Sequence, residues 1–385
     1  STLPEEEYEE YVNATRSLKD QVNDYWRRKN ERRYNFNAAI NWNITKNFTY
    51  RAEGGYDYTF FQQKDWYGPR SSKAVQDGQG LPMGEWEKKD SWKLRAAHTL
   101  TWKQKFNKIH DVNIMVGQEY VASNSESNEI IGKFFQEDIT PEKMFASMAA
   151  NSGATGSRTI SSQLGQEDRT ISFFGRANYS LLDKYLLTFT IRADGSSKFT
   201  KGNRWGYFPA AALAWRVIEE PFMEPAKEFM SNLKLRLSYG TAGNNRIGNS
   251  LYETSYKAYS GGKYYGAGEE QNPHYTLNND QLANPDLKWE TTITRNVGLD
   301  FGFFNERLTG SIDYYWNTVK DLLIEQSITA IGYKTMQQNI GQTSNRGVEL
   351  SLNAAILQKK DYSLNFNFNI GFNKNKVDKL ANGIS

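Results

Sequence analysis

The sequence contains no cysteine among its 385 residues, and it is poor in proline and histidine, with 9 and 3 residues. Without cysteine the chain can form no disulfide, no thiolate metal site and no thiol nucleophile. It also lacks any apolar run near the ~18 residues that a membrane-crossing helix requires. This excludes helical spans but not a membrane barrel, whose strands present apolar side chains to lipid only at alternate positions. The net charge of +3 indicates neither nucleic acid nor an acidic partner.

What the sequence has in abundance is aromatic residues at alternate positions. In YNFNAAINWNI, Tyr34, Phe36 and Trp42 fall on every second place, and asparagines fill most of the gaps. Successive side chains of a strand point to opposite faces, so this pattern predicts a strand with one apolar and one polar face. The pattern continues from residue 32 and predicts about twelve strands, most of them close to the ~9–11 residues of a tilted membrane-crossing strand.

The first residues follow a different period. Thr2 and Glu5 form a capping box, and apolar residues from Tyr8 to Tyr25 repeat at helical spacing. We therefore expect a helix over 2–29. We interpret 1–31 as a helical extracellular loop segment and 32–385 as part of a β-barrel.

The predicted connections are sorted by length. Short turns at 45–47, 104–108, 182–184, 304–306 and 357–362 alternate with long loops at 61–90, 122–168, 242–286 and 318–343. Short periplasmic turns and long extracellular loops are typical of outer-membrane barrels, whereas a soluble sandwich has no reason to sort its loops. We therefore predict an all-β fold class, an antiparallel transmembrane β-barrel. Aromatic residues beside the short turns fit an interfacial girdle, or alternatively cap an ordinary core.

One residue does not fit this pattern. Arg295 falls on the apolar side of its strand, near the middle. An arginine facing lipid costs ~2–4 kcal/mol at mid-bilayer and close to nothing at the interface. Either the strand extends above the membrane and Arg295 reaches the boundary, or a bulge reverses the alternation.

No constellation of residues predicts catalysis. His98, His110 and His274 are far apart in sequence and lack metal-ligand spacing, and the Gly-rich stretch 261–268 lacks the spacing of a phosphate loop. Glu219 and Glu220 are chain neighbours, which does not place them across a scissile bond. We expect no enzyme activity, catalytic residue, cofactor or metal.

The long loops carry the plausible ligand chemistry. Tyrosine and tryptophan offer rigid stacking surface with a polar group, which suits sugar rings or peptide backbones. The alternative is that these rings pack the loops together or against a partner. The candidates for substrate or lid contact are Trp66, Tyr67, Trp86, Tyr252, Tyr256, Tyr264, Tyr265 and Tyr275.

Several ordered segments resemble one family. The stretch 188–223 contains RADGSSKF and WGYFPAAALAW, the stretch 232–249 contains LKLRLSYGTAGNN, and NPDLKWETT and NRGVELSL follow. These segments are similar to the barrel of SusC/RagA-type TonB-dependent transporters of Bacteroidetes. The matching residues, which we expect to be structural, are Arg192, Asp194, Gly195, Trp205, Gly206, Phe208, Pro209, Trp215, Tyr239, Gly240, Gly243 and Asn244.

The resemblance implies a larger protein and several partners. Family members have about 22 strands, an N-terminal plug and a TonB-contacting segment, so we expect this chain to be a barrel fragment without the plug and the C-terminal strands. The implied function is TonB-dependent import of oligosaccharides or oligopeptides across the outer membrane. The implied partners are a SusD-like surface lipoprotein that acts as a lid, the TonB complex through the plug, outer-membrane lipid or lipopolysaccharide, and a second transporter–lid pair. We expect no nucleic-acid partner.

Three alternatives remain open from sequence. A passive porin shares the barrel signature. A siderophore or cobalamin receptor has the same fold and the same TonB-dependent energy source as the nutrient importer. A soluble carbohydrate-active β-sandwich enzyme is the most distant alternative.

Overall fold

The computed structural model describes residues 23–151, 153, 156–258 and 275–379. Nearly all of its regular structure is β. The strands are β1 (Tyr25–Asn43), β2 (Phe48–Tyr67), β3 (Met83–Phe106), β4 (His110–Gly132), β5 (Arg158–Leu164), β6 (Asp168–Leu181), β7 (Tyr185–Ser196), β8 (Trp205–Arg216), β9 (Met230–Asn244), β10 (Tyr256–Ala258), β11 (Tyr275–Leu277), β12 (Gln281–Leu282), β13 (Glu290–Phe303), β14 (Leu308–Lys320), β15 (Leu323–Ser327), β16 (Thr335–Asn339), β17 (Gln342–Gln358) and β18 (Ser363–Lys379).

Helices are few and short. They are α1 (Ser72–Gly78) and α2 (Pro141–Ala146), with 3-10 segments at Val217–Glu219, Pro221–Glu228 and Thr329–Ile331. Within the described part of the chain, none of these helices has the length and apolar character needed to cross a bilayer.

One sheet of 13 strands dominates the fold. Its order is β1-β2-β3-β4-β6-β7-β8-β9-β13-β14-β17-β18, and β5 pairs with β4. Neighbours along this path follow one another in sequence or skip only short loop strands, and the pairs from β6 onward are antiparallel. The prediction of about twelve antiparallel strands in one large sheet is confirmed.

The chain divides into two compact units. Unit 1 comprises Ser1–Asn37, Gly55–Arg95 and Ala122–Glu167, and unit 2 comprises Ala38–Gly54, Ala96–Val121 and Asp168–Ser385. Strands β1 to β4 contribute residues to both units. The strands of the long path from β6 onward lie wholly in unit 2, whereas α1, α2 and β5 lie in unit 1.

The sheet of unit 2 has one apolar and one polar face. On the apolar face, large side chains lie open: Phe189 is 47% exposed, Phe366 53% and Leu100 37%. On the other face, Arg236 pairs with Asp300 and Asp313. No second layer covers the apolar face at these positions, which a soluble sandwich would require.

The predicted helix is wrong from Tyr25 onward. Residues 25–29 begin strand β1, and 2–22 lie outside the described residues. The hydroxyl of Tyr25 donates to Asp65 on β2 at 2.5 Å, and the amide of Gly68 donates to the carbonyl of Asp24 at 2.8 Å. These cross-strand bonds extend the hairpin into a segment whose local spacing is helical.

The long loops contain less irregular backbone than the sequence predicted. Within 61–90, β2 continues to Tyr67 and β3 starts at Met83, and within 122–168, β4 continues to Gly132. The loop 242–286 begins after Asn244 of β9, and 318–343 contains β15 and β16. In these strand extensions both faces carry polar residues, so the alternation of apolar and polar residues that predicts a strand is weak.

The position of Arg295 is resolved by strand register. Strand β13 pairs with β9 without interruption from Glu290 to Gly302, and the only shift lies between Gly302 and Phe303. No bulge reverses the alternation, so Arg295 lies on the apolar face of the sheet.

Candidate site for substrate and lid contact

The segments that carry the family resemblance converge on one buried cluster in unit 2. Phe199, Phe208, Leu287 and Trp289 form this cluster, with Phe199 and Leu287 fully buried. The Trp289 ring centroid lies 5.5 Å from that of Phe199 and 5.6 Å from that of Phe208. Its indole Nε1 donates to the carbonyl of Arg204 at 2.8 Å. We call these four residues the loop-base cluster, because each long connection of unit 2 starts or ends beside it.

Two glycines make room for this cluster. A Cβ atom at Gly206 or at Gly243 would overlap the ring of Phe208. At Gly206 it would also lie 3.0 Å from Cδ1 of Trp289. The glycines are therefore required by close packing of the ring.

Hydrogen bonds join the loop starts around the cluster. The amide of Asn244 donates to Glu290 at 2.9 Å, and that of Asn245 donates to the hydroxyl of Ser196 at 3.0 Å. Lys198 Nζ donates to the carbonyl of Asn245 at 3.3 Å. The ends of three connections are thus bonded to one another.

Two long loops are also joined to each other above the cluster. Strand β12 of the first loop pairs with β16 of the second in parallel, and β15 pairs with β16 antiparallel. Asn284 Nδ2 donates to the carbonyl of Gln337 at 2.8 Å. Asn339 accepts from the amide of Lys288 and donates to its carbonyl, both at 2.8 Å. We call this arrangement the loop bridge.

The polar face of unit 2 carries two arginine networks. Arg236 donates to Asp300 at 2.8 and 2.9 Å and to Asp313 at 3.1 Å. Arg192 donates to Asp194 at 2.7 Å and to the hydroxyl of Ser172 at 2.8 Å. Arg236 is therefore paired with carboxylates on two other strands, and Arg192 with one on its own strand and with Glu119 on β4 at 3.3 Å, which suits a wall that meets water.

Unit 1 brings together some of the predicted contact residues. On one face, Tyr67 packs on Tyr25 with ring centroids 5.2 Å apart, and its hydroxyl donates to Glu85 at 3.2 Å. Burial and the nearby Glu85 raise the pKa of Tyr67 to about 12. Arg27 and Tyr25 both donate to Asp65 at 2.5 Å. This face is a closed polar network.

The other face of unit 1 is aromatic and cationic. Lys64 Nζ lies 4.3 Å from the ring centroid of Trp86 and 5.3 Å from that of Phe145, while Lys88 Nζ lies 4.7 Å from Trp86. Burial lowers the pKa of Lys64, and the positive charges of Arg28 and Lys88 lower it further. Trp86 is thus packed by side chains of its own unit.

The remaining candidates are dispersed. Trp66 is half-buried, and its Nε1 has no hydrogen-bond partner among the described residues. Tyr252 is half-buried, whereas Tyr256 on β10 is 66% exposed. Tyr264 and Tyr265 lie outside the described residues, and Tyr275 is placed only through the backbone of β11.

The other motif residues take structural places. Trp215 stacks on Tyr185 with centroids 6.4 Å apart, and Trp205 stacks on Phe173 at 6.1 Å. Pro209 accepts from Thr241 at 2.8 Å, and Gly240 accepts from Thr294 at 3.3 Å. Sequence reasoning did not predict that these motifs meet in one cluster. One sequence signal could have indicated this cluster: Leu287 and Trp289 are large apolar residues at the end of an otherwise polar loop.

The histidines are paired with tyrosines. His98 Nδ1 lies 2.6 Å from the hydroxyl of Tyr50, and His110 Nδ1 lies 2.7 Å from that of Tyr179. His274 lies outside the described residues. Over the part of the chain that the structure describes, no three His, Asp or Glu side chains are grouped as a metal site.

A family model described as "TonB dependent receptor-like, beta-barrel" matches residues 6–384. The chain belongs to this family. TonB-dependent receptor barrels are outer-membrane proteins, so the predicted location is confirmed, and the open apolar face of unit 2 faces lipid.

Curated relatives place this receptor chain near SusC. It is 43% identical to the TonB-dependent receptor SusC of Bacteroides thetaiotaomicron over 217 residues, which are 55% of this chain and 21% of SusC. It is 35% identical to the TonB-dependent receptor P3 of Formosa agariphila over 285 residues, covering 74% of this chain and 27% of P3. The resemblance to SusC/RagA-type transporters is thereby confirmed. The chain spans between 19% and 29% of the length of the curated relatives it matches.

Solved structures agree with this placement. The RagAB peptide importer in its "closed-closed" state matches with a TM-score of 0.79 at 25% identity, covering 94% of this receptor chain and 38% of that one. The siderophore receptor PiuA from Acinetobacter baumannii matches with a TM-score of 0.54 at 13% identity, covering 91% of this chain and 48% of that one. The second likeness shows the fold alone.

Proposed function

We propose that the protein containing this chain imports oligosaccharides or oligopeptides across the bacterial outer membrane in a TonB-dependent manner, with a SusD-like surface lipoprotein as its lid. The observation that carries this proposal is the 43% identity to SusC. The likeness to the RagAB importer supports it. TonB acts through a plug, which is not part of the matched barrel region.

In this proposal the chain supplies a wall and a vestibule but no bond chemistry. The polar face of unit 2, with the paired Arg236 and Arg192, lines the water-filled side. The loop-base cluster fixes the positions from which the long loops leave the barrel wall. Cargo held between loops, lid and plug would then meet a preorganised entrance.

We further propose that exposed loop tyrosines contact cargo or lid. Tyr256 is the best placed of the described candidates, because it is 66% exposed on a short strand. Trp86 and Tyr67 are engaged inside unit 1, so their role is to hold that unit together.

Uptake of fluorescent oligosaccharides and oligopeptides by cells tests the function. Cells expressing the intact transporter and its lid should accumulate one class of cargo, and deletion of TonB should abolish that accumulation. Accumulation that persists without TonB would refute energised import and would support a passive porin. A lid deletion that leaves uptake unchanged would refute the lid partner.

The substitution Y256A tests the contact residue within this assay. We expect about a 5–10-fold loss of cargo or lid affinity, since removal of one stacking ring typically costs ~1–1.5 kcal/mol. A matched control is Y362A, which removes a 62% exposed tyrosine from the opposite, short-turn rim. Equal effects of the two variants would contradict a specific contact.

A siderophore receptor is the remaining alternative from the same family. No contact in the described residues favours it, and the solved siderophore receptor PiuA shares only the fold at 13% identity. Saturable binding of a ferric siderophore to the purified transporter would nevertheless replace the present proposal.

A further inference from the structure

A row of cations crosses the apolar face of the sheet near its loop side. Strand pairing places Arg295 opposite Tyr239 on β9, Trp316 opposite Arg346 on β17, and Arg346 opposite Lys374 on β18. The Arg295 guanidinium lies 4.8 Å from the Trp316 ring centroid. Trp316 therefore connects Arg295 on one side with Arg346 and Lys374 on the other. These residues share the parity of the exposed apolar residues below them, so the row faces outward. We call Arg295, Arg346 and Lys374 the basic row.

The basic row contains an unfavourable pairing. Arg346 and Lys374 oppose each other directly on neighbouring strands. Like charges directly opposite in a sheet are destabilising, so an anion that bridges them would relieve the repulsion. Within the described residues neither side chain has an ion-pair partner, and Asp378, an acid further along β18, pairs with Lys376 at 3.8 Å.

Arg295 is also incompletely satisfied. Its Nη1 donates weakly to Thr318 Oγ1 at 3.3 Å and to the Trp316 carbonyl at 3.5 Å. Its Nε and Nη2 donors have no acceptor in the part of the chain that the structure describes. A partly open guanidinium with free donors, held beside an aromatic ring, is suited to a phosphate oxygen.

The height of the row fits a lipid headgroup. Arg295 lies eight residues from Phe303, the end of β13 at the short-turn side. At ~3.4 Å per residue and a tilt near 40°, this places Arg295 roughly 20 Å above that end, close to the upper limit of a ~25 Å apolar band. Tyr239 and Trp316, which flank Arg295, are 45% and 49% exposed, as expected for interfacial aromatic residues.

An apolar depression adjoins Arg295, which is one of its lining residues. It has a volume of about 490 Å³, and its lining includes Leu187, Leu213, Leu237 and Val297. Ala211 also lines the depression, and its side chain is smaller than those of the leucines around it. An acyl chain can lie in such a depression while its headgroup reaches the basic row.

We infer that the basic row and this depression form a binding site for a phosphorylated glycolipid of the outer leaflet. The phosphate bridges Arg346, Lys374 and Arg295, and an acyl chain occupies the depression. This inference requires only that the apolar face meets lipid, and it does not depend on the cargo or the lid. Basic groups at a membrane surface are a recognised basis for binding of anionic lipids.

Native mass spectrometry of the intact transporter in neutral detergent, titrated with phosphorylated lipid A, tests the inference. R346Q/K374Q should weaken lipid binding by about 30-fold, given about fivefold for each charge removed at a membrane surface. K359Q/K360Q removes the same charge from the short turn at the opposite rim and should leave binding unchanged. A211F keeps every charge but fills the depression, and it should weaken binding of the acylated lipid.

Three further arms identify the ligand. Enzymatically dephosphorylated lipid A should bind at least tenfold more weakly, phosphatidylglycerol should bind more weakly than lipid A, and inorganic phosphate at millimolar concentration should compete poorly. Equal binding of phosphorylated and dephosphorylated lipid would overturn the inference, as would equal losses in R346Q/K374Q and K359Q/K360Q. Preference for phosphatidylglycerol or strong competition by free phosphate would overturn the glycolipid assignment. Heat-modifiable electrophoretic mobility, compared across all variants, confirms that each barrel is folded.

Discussion

The loop-base cluster allows a quantitative test of how the loops are held. Phe208 is 5% exposed, and it contacts Trp289 edge-on at 5.6 Å between centroids. Truncation of a buried phenylalanine to alanine costs ~3–5 kcal/mol. The two glycines that border the ring add no side chain that could fill the cavity, so F208A should fall in this range.

The loss of stability in F208A should be confined to the loop base and should not extend to the whole barrel. The barrel strands are held by long hydrogen-bonded ladders, whereas the loop base is held by the four-residue cluster and a few side-chain hydrogen bonds. An opening free energy lowered by ~3–5 kcal/mol increases amide exchange from the opened state by about 150-fold to several thousand-fold, limited by the original opening free energy. The increase should be confined to 196–204 and 284–290.

Hydrogen exchange measured by mass spectrometry on the intact transporter checks this expectation. F189A is the matched control, because Phe189 is 47% exposed on the lipid face and lies outside the cluster. F189A should leave exchange at the loop base unchanged. If F208A accelerates exchange in 196–204 and 284–290 by less than about threefold, the cluster does not hold the loops and the reasoning is refuted.

Three further predictions concern other sites. G243A forces a Cβ onto the ring of Phe208, so it should destabilise the loop base by ~1–3 kcal/mol, and F208L in the same chain should recover part of the loss in exchange protection. R236Q leaves two facing carboxylates without their shared cation, and the midpoint of heat-modifiable mobility should fall, whereas the added change D313N should raise it again. Lys334, at 2.6 Å, and Lys257 lower the pKa of Asp280, so its stabilising contribution is present above its ordinary value of 3.8 and is lost as pH falls through the lowered pKa. With any native cysteine of the intact protein replaced, a single nitroxide at L277C should therefore become more mobile as the pH falls below 3.8 in the parent chain but not in D280N. A mobility in the parent chain that does not change with pH would contradict the ion pair's role.

Strand alternation made the large sheet predictable. It depends only on neighbouring residues, so the period-two pattern of Leu364, Phe366 and Phe368 identifies both the strand β18 and its exposed face. The sorting of loops by length and the order of the RADGSSKF, WGYFPAAALAW and LKLRLSYG segments then indicated the fold family. Alternation and these short segments are local signals, and the family match confirms what they indicated.

Local signals misled where long-range pairing decides. Tyr25 continues a helical spacing in the sequence, yet its hydroxyl bonds Asp65, forty positions away, and the segment extends a hairpin. Arg295 had two explanations from sequence, and only the uninterrupted register with β9 excludes the bulge. The register is a property of two strands and cannot be read from one.

The candidate site was only partly predictable. Aromatic content alone cannot distinguish an exposed ring from a packed one, and the structure separates Tyr256, which is open, from Trp86, which two lysines contact. The meeting of Phe208 with Trp289 joins residues about eighty positions apart, and no spacing rule predicts it.

The loop bridge has a consequence for engineering and for evolution. Strands β12 and β16 pair through their backbones, and Asn339 makes two hydrogen bonds to the backbone of Lys288 in the other loop. Replacing one segment alone would therefore leave backbone groups of the other segment without hydrogen-bond partners. Recombination that alters the transported molecule should therefore exchange 279–289 and 321–341 together as a single cassette. A displacement of either segment, for example by the proposed lipoprotein lid, should therefore move the other segment with it.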